Sequence, residues 1–254
     1  RGSHEFRLTA AGKLAYDAAK QIHVQTQNLR TQLTELQSQK VELRVGMIDS
    51  LANLLFVQSD ELHNLEAHTH LSLTIDNSDR LTAYVLHDEL DMALITSTPE
   101  LPAALLPINL GQEPLVVVAH HSLAATVEKQ ASTGTLANFL SYNQNSHTYR
   151  LVLTHFARLG VKVDYAFYST SPEIMLELVL HKRGVAALPY MLIQPQLQSG
   201  KLVPIHIKGS ESCCIARTIV SVHRSGRSLP NEAGILLAKT QAKLTGLMLE
   251  ASNL

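Results

Sequence analysis

The sequence predicts an α/β protein in which two Rossmann-like subdomains are hinged by two crossing strands and preceded by a long linker helix. Two observations carry this prediction. Apolar residues recur at every seventh position of a polar, proline-free segment near the start of the chain. Beyond that segment, short apolar runs alternate with helical patterns, and this order occurs twice. Strands that alternate with helices indicate right-handed crossovers and parallel sheets.

The first element is a predicted linker helix over residues 7–42. Its narrow apolar seam is typical of a helix that pairs with another helix rather than with a broad core. Gln25, Gln32 and Gln39 occupy positions where a strong coiled coil carries leucine, so we expect dimerisation without a coiled coil that is stable alone. An exposed surface helix is the alternative. The seam consists of Leu8, Ala15, Ile22, Leu29, Leu36 and Leu43.

The two α/β units follow, each with the order strand, helix, strand, helix, strand. Asp, Asn and Ser residues, which favour the first positions of helices, stand after the strands. In the first unit we predict strands over Leu43–Ile48, Leu71–Ile75 and Asp91–Ile95, with helices over Asp49–Leu65 and Asn77–His87. In the second unit we predict strands over Phe139–Tyr142, Val163–Tyr168 and Val185–Leu188, with helices over Ser146–Leu159 and Ser171–Lys182.

Two further extended runs, Leu115–His120 and Leu202–Ile207, are predicted to be the crossing strands between the units. A strand over Ile215–Val222 follows, and then a helix from Pro230, which suits a first turn, to about Glu250. If the chain thus returns to the first unit, subdomain I consists of residues 43–112 and 208–254, and subdomain II of residues 113–207.

Composition and charge limit what this chain can do by itself. It has 254 residues, 45% hydrophobic and 17% charged, with a net charge of −1. A DNA-binding domain usually has a basic surplus, so any contact with DNA is expected to lie in a part not included here. The adjacent Cys213 and Cys214 offer no disulfide framework, and neither a signal peptide nor a membrane-spanning run is visible. We therefore expect a cytoplasmic location. Residues 1–6 are interpreted as a tag and cloning scar.

Five short motifs occur in order along the chain. They are Arg7–Gly12, Leu43–Gly46, Glu89–Leu94, Gly184–Pro189 and Gly200–Pro204. Together they resemble the LysR-type transcriptional regulators, from Arg7 to the C-terminal helix. The first motif resembles the end of the winged helix-turn-helix of that family and the start of its linker helix. One departure is Thr69, where the family usually carries proline before the second strand.

This resemblance implies a fold similar to type II periplasmic binding proteins, with two lobes and a small-molecule effector in the cleft between them. It implies antiparallel dimers of effector domains, often within a tetramer. It also implies that DNA is bound only through a winged helix-turn-helix domain that this chain lacks.

Polar turns follow the strands of both predicted units, at the edge where doubly wound sheets bind ligands. Helix N-termini at this edge offer free N–H groups and a partial positive charge. The same residue types cap helices when nothing binds, so capping alone is the alternative for each single residue. The predicted effector-binding residues, which match where the effectors of the family sit, are Asp49, Ser50, Asn77, Ser78, Thr96, Ser97, Tyr142, Asn145, Ser146, His147, Thr148, Ser169 and Thr170.

The effector classes that we expect first are small carboxylates and aromatic metabolites. His147 and Tyr142 can recognise a polar or aromatic ligand, although His147 is equally compatible with a solvent-exposed loop. Asp49 opposes a purely acidic effector, because two negative charges repel.

Other chemistries have little support. His63, His68 and His70 lie close together, but no cysteine or carboxylate joins them at a metal-ligand spacing. Cys213 and Cys214 are interpreted as structural rather than redox-active. No phosphate loop or nucleophile elbow is present, so neither a cofactor nor catalysis is expected. The alternative function is a solute-binding protein of a transport system, which would carry a signal peptide and would not need the linker helix. An enzyme on this fold is a third possibility.

Overall fold

A computed structural model describes residues 9–36, 41–57, 69–98, 100–207, 210, 213–252 and 254. Within these described residues, nine strands form one continuous sheet in the order β2-β1-β3-β9-β4-β7-β5-β6, with β8 paired to β4. The strands are β1 (Val41–Met47), β2 (Thr69–Ile75), β3 (Met92–Thr96), β4 (Leu105–His120), β5 (Thr135–Tyr142), β6 (Lys162–Ser169), β7 (Val185–Pro189), β8 (Leu202–Pro204) and β9 (Cys214–Arg224). The helices are α1 (Ala10–Leu36), α2 (Asp49–Ala52), α3 (Ser78–Leu86), α4 (Ala124–Ser132), α5 (His147–Arg158), α6 (Pro172–Leu180), α7 (Tyr190–Gln198) and α8 (Asn231–Ala251).

The first lobe is built on β1, which pairs in parallel with both β2 and β3. Strand β9 adds to β3 in the antiparallel sense. Strand β3 is buried along its whole length. In β1 the alternate residues Leu43, Val45 and Met47 are fully buried, while Glu42 and Arg44 lie on the other face. The motif residue Asp91 fixes the start of β3: its carboxylate accepts hydrogen bonds from the backbone N–H of Arg44 at 2.7 Å and from the Arg44 guanidinium at 2.8 Å.

The second lobe repeats this arrangement on β5, which pairs in parallel with β6 and β7. Its separate core forms around Phe139 of β5 and Phe156 of α5, whose rings meet edge to face with centroids 5.2 Å apart. Each lobe therefore has the parallel strand–helix order that the sequence predicts.

Strands β4 and β9 cross between the lobes. They pair with each other from Leu105 opposite Arg224 to Val116 opposite Cys214. Strand β9 also pairs with β3 in the first lobe, and β4 pairs with β7 in the second. A bulge interrupts the β4–β9 pairing between Asn109 and Gly111.

The prediction that residues 202–207 form the second crossing strand is wrong. Strand β8 covers only Leu202–Pro204 and pairs with the end of β4 at Val118–His120. The return crossing is β9 instead, because it is long enough to run beside β4 from Cys214 to Arg224 and to pair with β3 in the first lobe. The exact boundaries of the two subdomains remain a prediction.

Several other elements differ from the prediction. Helix α1 ends at Leu36, and β1 already begins at Val41, so the linker helix does not reach residue 42. After β1, α2 (Asp49–Ala52) passes into a π-helical turn over Asn53–Val57, and the remainder of the predicted helix, residues 58–65, lies outside the described residues. The sequence prediction omitted the first part of β4 and all of α4 and α7.

Candidate functional site

A cavity of about 560 Å³ lies between the lobes, where the carboxyl ends of the parallel strands of both lobes come together. Its size is within the usual range for a small-molecule site. The residues around it are Ile48, Asp49, Ser50, Ile75, Asp76, Asn77, Ser78, Asp79, Arg80, Thr96, Tyr142, Asn143, Asn145, Ser146, His147, Thr148, Ser169, Thr170, Ser171, Pro172 and Arg217.

The cavity lining includes every residue predicted for the effector site except Ser97. The backbone N–H of Ser97 donates to the carbonyl of Thr218 at 2.8 Å, so this residue continues along β9 instead. The residues brought together are Asp49, Ser50, Asn77, Ser78, Thr96, Tyr142, Asn145, Ser146, His147, Thr148, Ser169 and Thr170.

Some of these side chains act as helix caps, which was the alternative for each of them. The side-chain oxygen of Asn77 accepts from the N–H of Arg80 at 3.0 Å at the start of α3. The hydroxyl of Ser146 accepts from the N–H of Tyr149 at 3.0 Å at the start of α5. Ser50, in contrast, lies inside α2, and its hydroxyl makes no cap hydrogen bond. The Ser50 hydroxyl is therefore available for other contacts.

A buried ion pair on the crossing strands forms the floor of the cavity. Glu113 of β4 and Arg217 of β9 face each other across the sheet and are 2% and 4% exposed. The Nε of Arg217 donates to the Glu113 carboxylate at 2.9 Å. Burial opposes the charge on Arg217, but the Glu113 carboxylate and the Tyr142 phenol together outweigh this effect, so the pKa of the guanidinium is raised.

The same guanidinium contacts both lobes. It donates to the hydroxyl of Ser50 in the first lobe at 2.8 Å and to the hydroxyl of Thr148 in the second at 2.9 Å. Sequence reasoning missed Arg217 and Glu113. The available sign was a charged residue next to an apolar run in each strand, since Glu113 precedes Leu115–Ala119 and Arg217 follows Ile215 and Ala216. Charged residues are rarely buried unless the charge is paired.

A hydrogen bond joins the lobes at the rim of the cavity. The Nε2 of His147, at the start of α5, lies 2.8 Å from the carboxylate of Asp79, in the first turn of α3. Within the first lobe, Arg80 pairs with Asp76 at 3.2 Å.

Two carboxyl groups also meet across the cleft. Asp49, in the first turn of α2, interacts with the carboxyl group of Glu173 of α6. The carboxylate of Glu173 is held by the hydroxyl of Ser171, which donates to it at 2.8 Å. Burial, the hydrogen bond to Glu173 and repulsion from that carboxylate together raise the pKa of Asp49 to about 6. A proton on Asp49 relieves the repulsion between the two carboxyl groups.

Tyr142, at the end of β5, lines the cavity and is 7% exposed. Its hydroxyl is buried and has no hydrogen-bond partner within the described part of the chain. Burial raises the pKa of this phenol, so the hydroxyl stays neutral. A buried hydroxyl without a partner is unfavourable, and a ligand group that hydrogen-bonds to it would remove that cost.

The described residues contain no grouping of three histidine, cysteine or acidic side chains that could hold a metal ion. His70 lies exposed on β2, and His63 and His68 lie outside the described residues. The sulfur atoms of Cys213 and Cys214 are 4.0 Å apart. A hydrogen bond to Cys214, together with burial, raises the pKa of the Cys213 thiol, which agrees with a structural role for this residue.

A family model described as the LysR substrate binding domain matches residues 37–242. The chain belongs to this family. It is the effector-sensing domain of a LysR-type transcriptional regulator, with the type II periplasmic-binding-protein-like fold. Among the two alternatives drawn from the sequence, this match favours the regulator over a solute-binding protein of a transport system. No curated protein has a significantly similar sequence.

Solved structures of LysR-type regulators share the fold. The reduced regulatory domain of OxyR2 from Vibrio vulnificus has 20% identity and a TM-score of 0.67, covering 81% of this chain and 97% of that one. The apo regulatory domain of HypT from Salmonella typhimurium has 15% identity and a TM-score of 0.61, and the match covers 81% of this chain and 96% of that one. DarR from Vibrio fischeri, solved in complex with DNA, has 22% identity and a TM-score of 0.59, and the match covers 95% of this chain and 80% of that one.

Among the described residues, no helix is both long enough and apolar enough to cross a membrane.

Proposed function

We propose that the cavity between the lobes is the effector site and that a small molecule bound there changes how the lobes are arranged. The observation that supports this most strongly is the origin of the lining residues. Turns at the ends of β1, β2 and β3 face turns at the ends of β5 and β6 across one cavity of about 560 Å³. A ligand of that size contacts both lobes at once.

The mechanism is a shift between two lobe arrangements. A ligand shifts such an equilibrium only by the difference between its affinities for the two states. Contacts that cross the cleft create that difference, because they form in one arrangement and break in the other. Here the crossing contacts are Arg217 with Ser50 and Thr148, and His147 with Asp79. An effector that competes for these hydroxyls or for His147 therefore changes the relative stability of the two states.

Regulators of this family oligomerise and bind DNA. We infer that α1 forms the contact through which this chain oligomerises. The seam residues Ile22 and Leu29 on α1 are 63% and 55% exposed, as expected of a helix whose apolar seam pairs with another chain. Through such a pair, a change in lobe arrangement reaches DNA-binding domains in the cytoplasm.

A thermal-shift screen of metabolites tests the effector site. Compounds that bind the native cavity raise the melting temperature in proportion to the logarithm of concentration. Ser50→Ala and Ser146→Ala should each weaken the response to any hit about tenfold, the usual effect of losing one hydrogen bond to a charged or buried partner. Ser132→Ala, at the exposed end of α4, is the matched control. Unchanged affinity in both cavity variants would place the ligand elsewhere.

A further inference from the structure

The side chains around the cavity that can carry positive charge are already matched by carboxylates. Three of the described lining residues are of this kind, and each contacts an acidic side chain of the protein. The contacts are Arg80 with Asp76, His147 with Asp79 and Arg217 with Glu113. An anionic effector would have to displace a carboxylate from one of these groups, and breaking a buried pair leaves an uncompensated charge. It would also meet the carboxyl of Asp49, which lines the same cavity.

Uncharged polar groups are in the opposite situation. More than half of the residues around the cavity carry a hydroxyl or a carboxamide. Within the part of the chain that the structure describes, the side chains of Thr96, Asn145 and Thr170 form no hydrogen bond. Thr96 ends β3 in the first lobe, whereas Asn145 and Thr170 lie in the turns that follow β5 and β6 in the second. Lining residues of both lobes therefore have hydrogen-bonding capacity that the protein does not use.

Two further hydroxyls of the lining accept one hydrogen bond each and keep their own proton. The Ser78 oxygen accepts from the backbone N–H of Thr96 at 3.1 Å, and the Thr148 oxygen accepts from the Arg217 guanidinium at 2.9 Å. Ser78, Thr96 and Thr148 are only 8%, 5% and 5% exposed. Because a buried hydroxyl with unused hydrogen-bonding capacity is unfavourable, a ligand that pairs with these groups gains affinity.

We infer that the effector is an uncharged sugar, whose hydroxyls join Ser78 and Thr96 of the first lobe to Thr148 and Thr170 of the second. This inference rests on the proposed function, because it concerns the ligand of the same cavity. It differs from the carboxylates and aromatic metabolites expected from the sequence, since the sequence does not show that the cations of the cavity are already matched.

The hydrogen-bonding chemistry of a sugar matches that of the lining. A hydroxyl donates one hydrogen bond and accepts up to two, and the Ser and Thr side chains around the cavity do the same. The Asp79 carboxylate receives His147 on one oxygen and can accept sugar hydroxyls with its remaining lone pairs. Several hydroxyls on one ring reach both lobes only when the lobes are close together, so the sugar binds the closed arrangement more tightly and favours it.

The size and the apolar part of the cavity also suit a sugar. A monosaccharide has about twelve non-hydrogen atoms, and it fits even if each takes the roughly 30 Å³ of a liquid water molecule, since the cavity measures about 560 Å³. Ile48, Ile75 and Pro172 offer apolar surface to the C–H groups of the ring. An aromatic ligand without polar groups would leave the lining hydroxyls unpaired, which costs affinity.

Isothermal titration calorimetry and saturation-transfer NMR of the purified chain test this inference with sugars of matched shape. Glucose, galactose and mannose are each used as the uncharged sugar, the anionic uronate and the cationic amino sugar. Thermal shift is unsuitable here, because sugars at high concentration stabilise folded proteins by exclusion from their surface. We expect at least one uncharged sugar to bind with a dissociation constant below about 10 mM. It should bind at least about tenfold more tightly than both charged forms, whose charge loses water without gaining a free partner.

Salt dependence provides a readout that depends on the charge of the ligand. Raising sodium chloride from about 20 mM to about 500 mM should change the affinity for the uncharged sugar by less than about twofold, because salt screens only interactions between charges. A large loss of affinity over this range would show that charge contributes to binding, and would contradict the inference.

Variants locate the binding. Thr96→Val and Thr170→Val nearly keep the shape of each side chain and remove its hydroxyl, so each should weaken sugar binding by about three- to tenfold, the effect of one lost hydrogen bond. Thr135→Val, at the exposed start of β5, is the matched control and should leave the affinity unchanged. Circular dichroism of each variant checks that it is folded.

The other outcomes are distinct. Preferred binding of a uronate or an amino sugar, weakened by Thr96→Val or Thr170→Val, would overturn the uncharged effector while the effector site itself stands. Binding of an uncharged sugar that neither variant weakens would overturn the inference by placing the sugar outside the cavity. If none of the sugars binds, the inference is wrong, and the proposed function is decided separately by the metabolite screen.

Discussion

The guanidinium of Arg217 lies at the centre of the site, since it touches Glu113 on the neighbouring strand and one hydroxyl from each lobe. Removing one member of a buried ion pair leaves the other charge without compensation, which typically costs about 3–5 kcal/mol. We therefore expect Arg217→Met to lower the free energy of unfolding by about this amount in urea denaturation.

Two comparisons make this prediction specific. Arg80→Met removes the exposed ion pair with Asp76 and should cost less than about 1 kcal/mol. The double variant with Arg217→Met and Glu113→Leu removes both buried charges and should recover most of the loss. A cost for Arg217→Met as small as that of Arg80→Met would show that the buried pair does not stabilise the fold.

Asp49 gives the domain a pH-dependent stability. Its pKa is raised from 3.8 to about 6 in the folded chain, so the folded state holds this proton more tightly than the unfolded state does. The contribution is therefore greatest below about pH 4 and is lost as the pH rises to about 6. Relative to the parent chain, Asp49→Asn should show a smaller decline of melting temperature across this window. A parallel decline in both proteins would contradict the raised pKa.

At the scale of single residues, the sequence predicted the polar turns of the site because Asn, Ser and Asp at strand ends have few other uses. It did not predict the contacts of Arg217. Its partners are 104, 167 and 69 positions away, at Glu113, Ser50 and Thr148. Such contacts depend on the register of β4 with β9, which is set by the whole sheet and not by local pattern. Ser97 lies outside the cavity lining for the same reason, because the direction of the backbone at Ser97 depends on pairing with β9.

Among the elements, β7 and β5 meet at a point that only glycine fits. A Cβ atom on Gly184 would lie 2.1 Å from the backbone oxygen of Asn138, which cannot move away easily. Gly246, in the middle of α8, has open space around its Cβ position. We expect Gly184→Ala to lower the free energy of unfolding by about 1–3 kcal/mol because of this overlap.

Gly246→Ala is the matched control, and it should raise stability by up to about 1 kcal/mol because alanine favours the helix. Chemical denaturation of both variants checks the pair. Equal effects of the two substitutions would mean that the approach of Gly184 to β5 is not constrained.

The sequence predicted helices such as α3, α5 and α6 well, because the spacing of their apolar residues and their N-terminal capping residues indicate the same helix. The omitted elements lack this agreement. The first part of β4 contains Pro107, Gly111 and Pro114, which interrupt a strand pattern. Helix α7 contains Pro195, which normally argues against a helix interior. The pairing of β4 with β9 and the packing of the second lobe compensate for these unfavourable residues.

For the molecule as a whole, the exposed seam of α1 predicts its state of assembly. Replacing Ile22 and Leu29 with lysine places charge in a seam that is buried only when two helices pair. We expect the double variant to shift from a dimer or larger species to a monomer in light scattering. Lysine at His23 and Gln27, which lie away from the seam on the same helix, is the control for added charge. An unchanged mass in the Ile22 and Leu29 variant would show that assembly uses another surface.

The global architecture could be predicted because it depends on the order of the strands and helices and not on the residues at which each one begins and ends. A repeated strand–helix pattern permits few topologies, since parallel strands require right-handed crossovers. Which strand returns to the first lobe was not predictable in this way. In sequence, residues 202–207 and 215–222 are both runs rich in apolar residues and of similar length, and only the pairing of β9 with β3 and β4 identifies it as the return strand.

The size of the cleft has a consequence for how the domain responds to its surroundings. A space of about 560 Å³ holds on the order of twenty water molecules at the density of the liquid. Closing the lobes releases part of this water into the solvent. Sucrose and other solutes that are excluded from protein surfaces lower the activity of water and so favour the drier arrangement. Osmotic stress alone thus acts on the same equilibrium as the effector, and the number of waters released follows from the slope of affinity against osmolality.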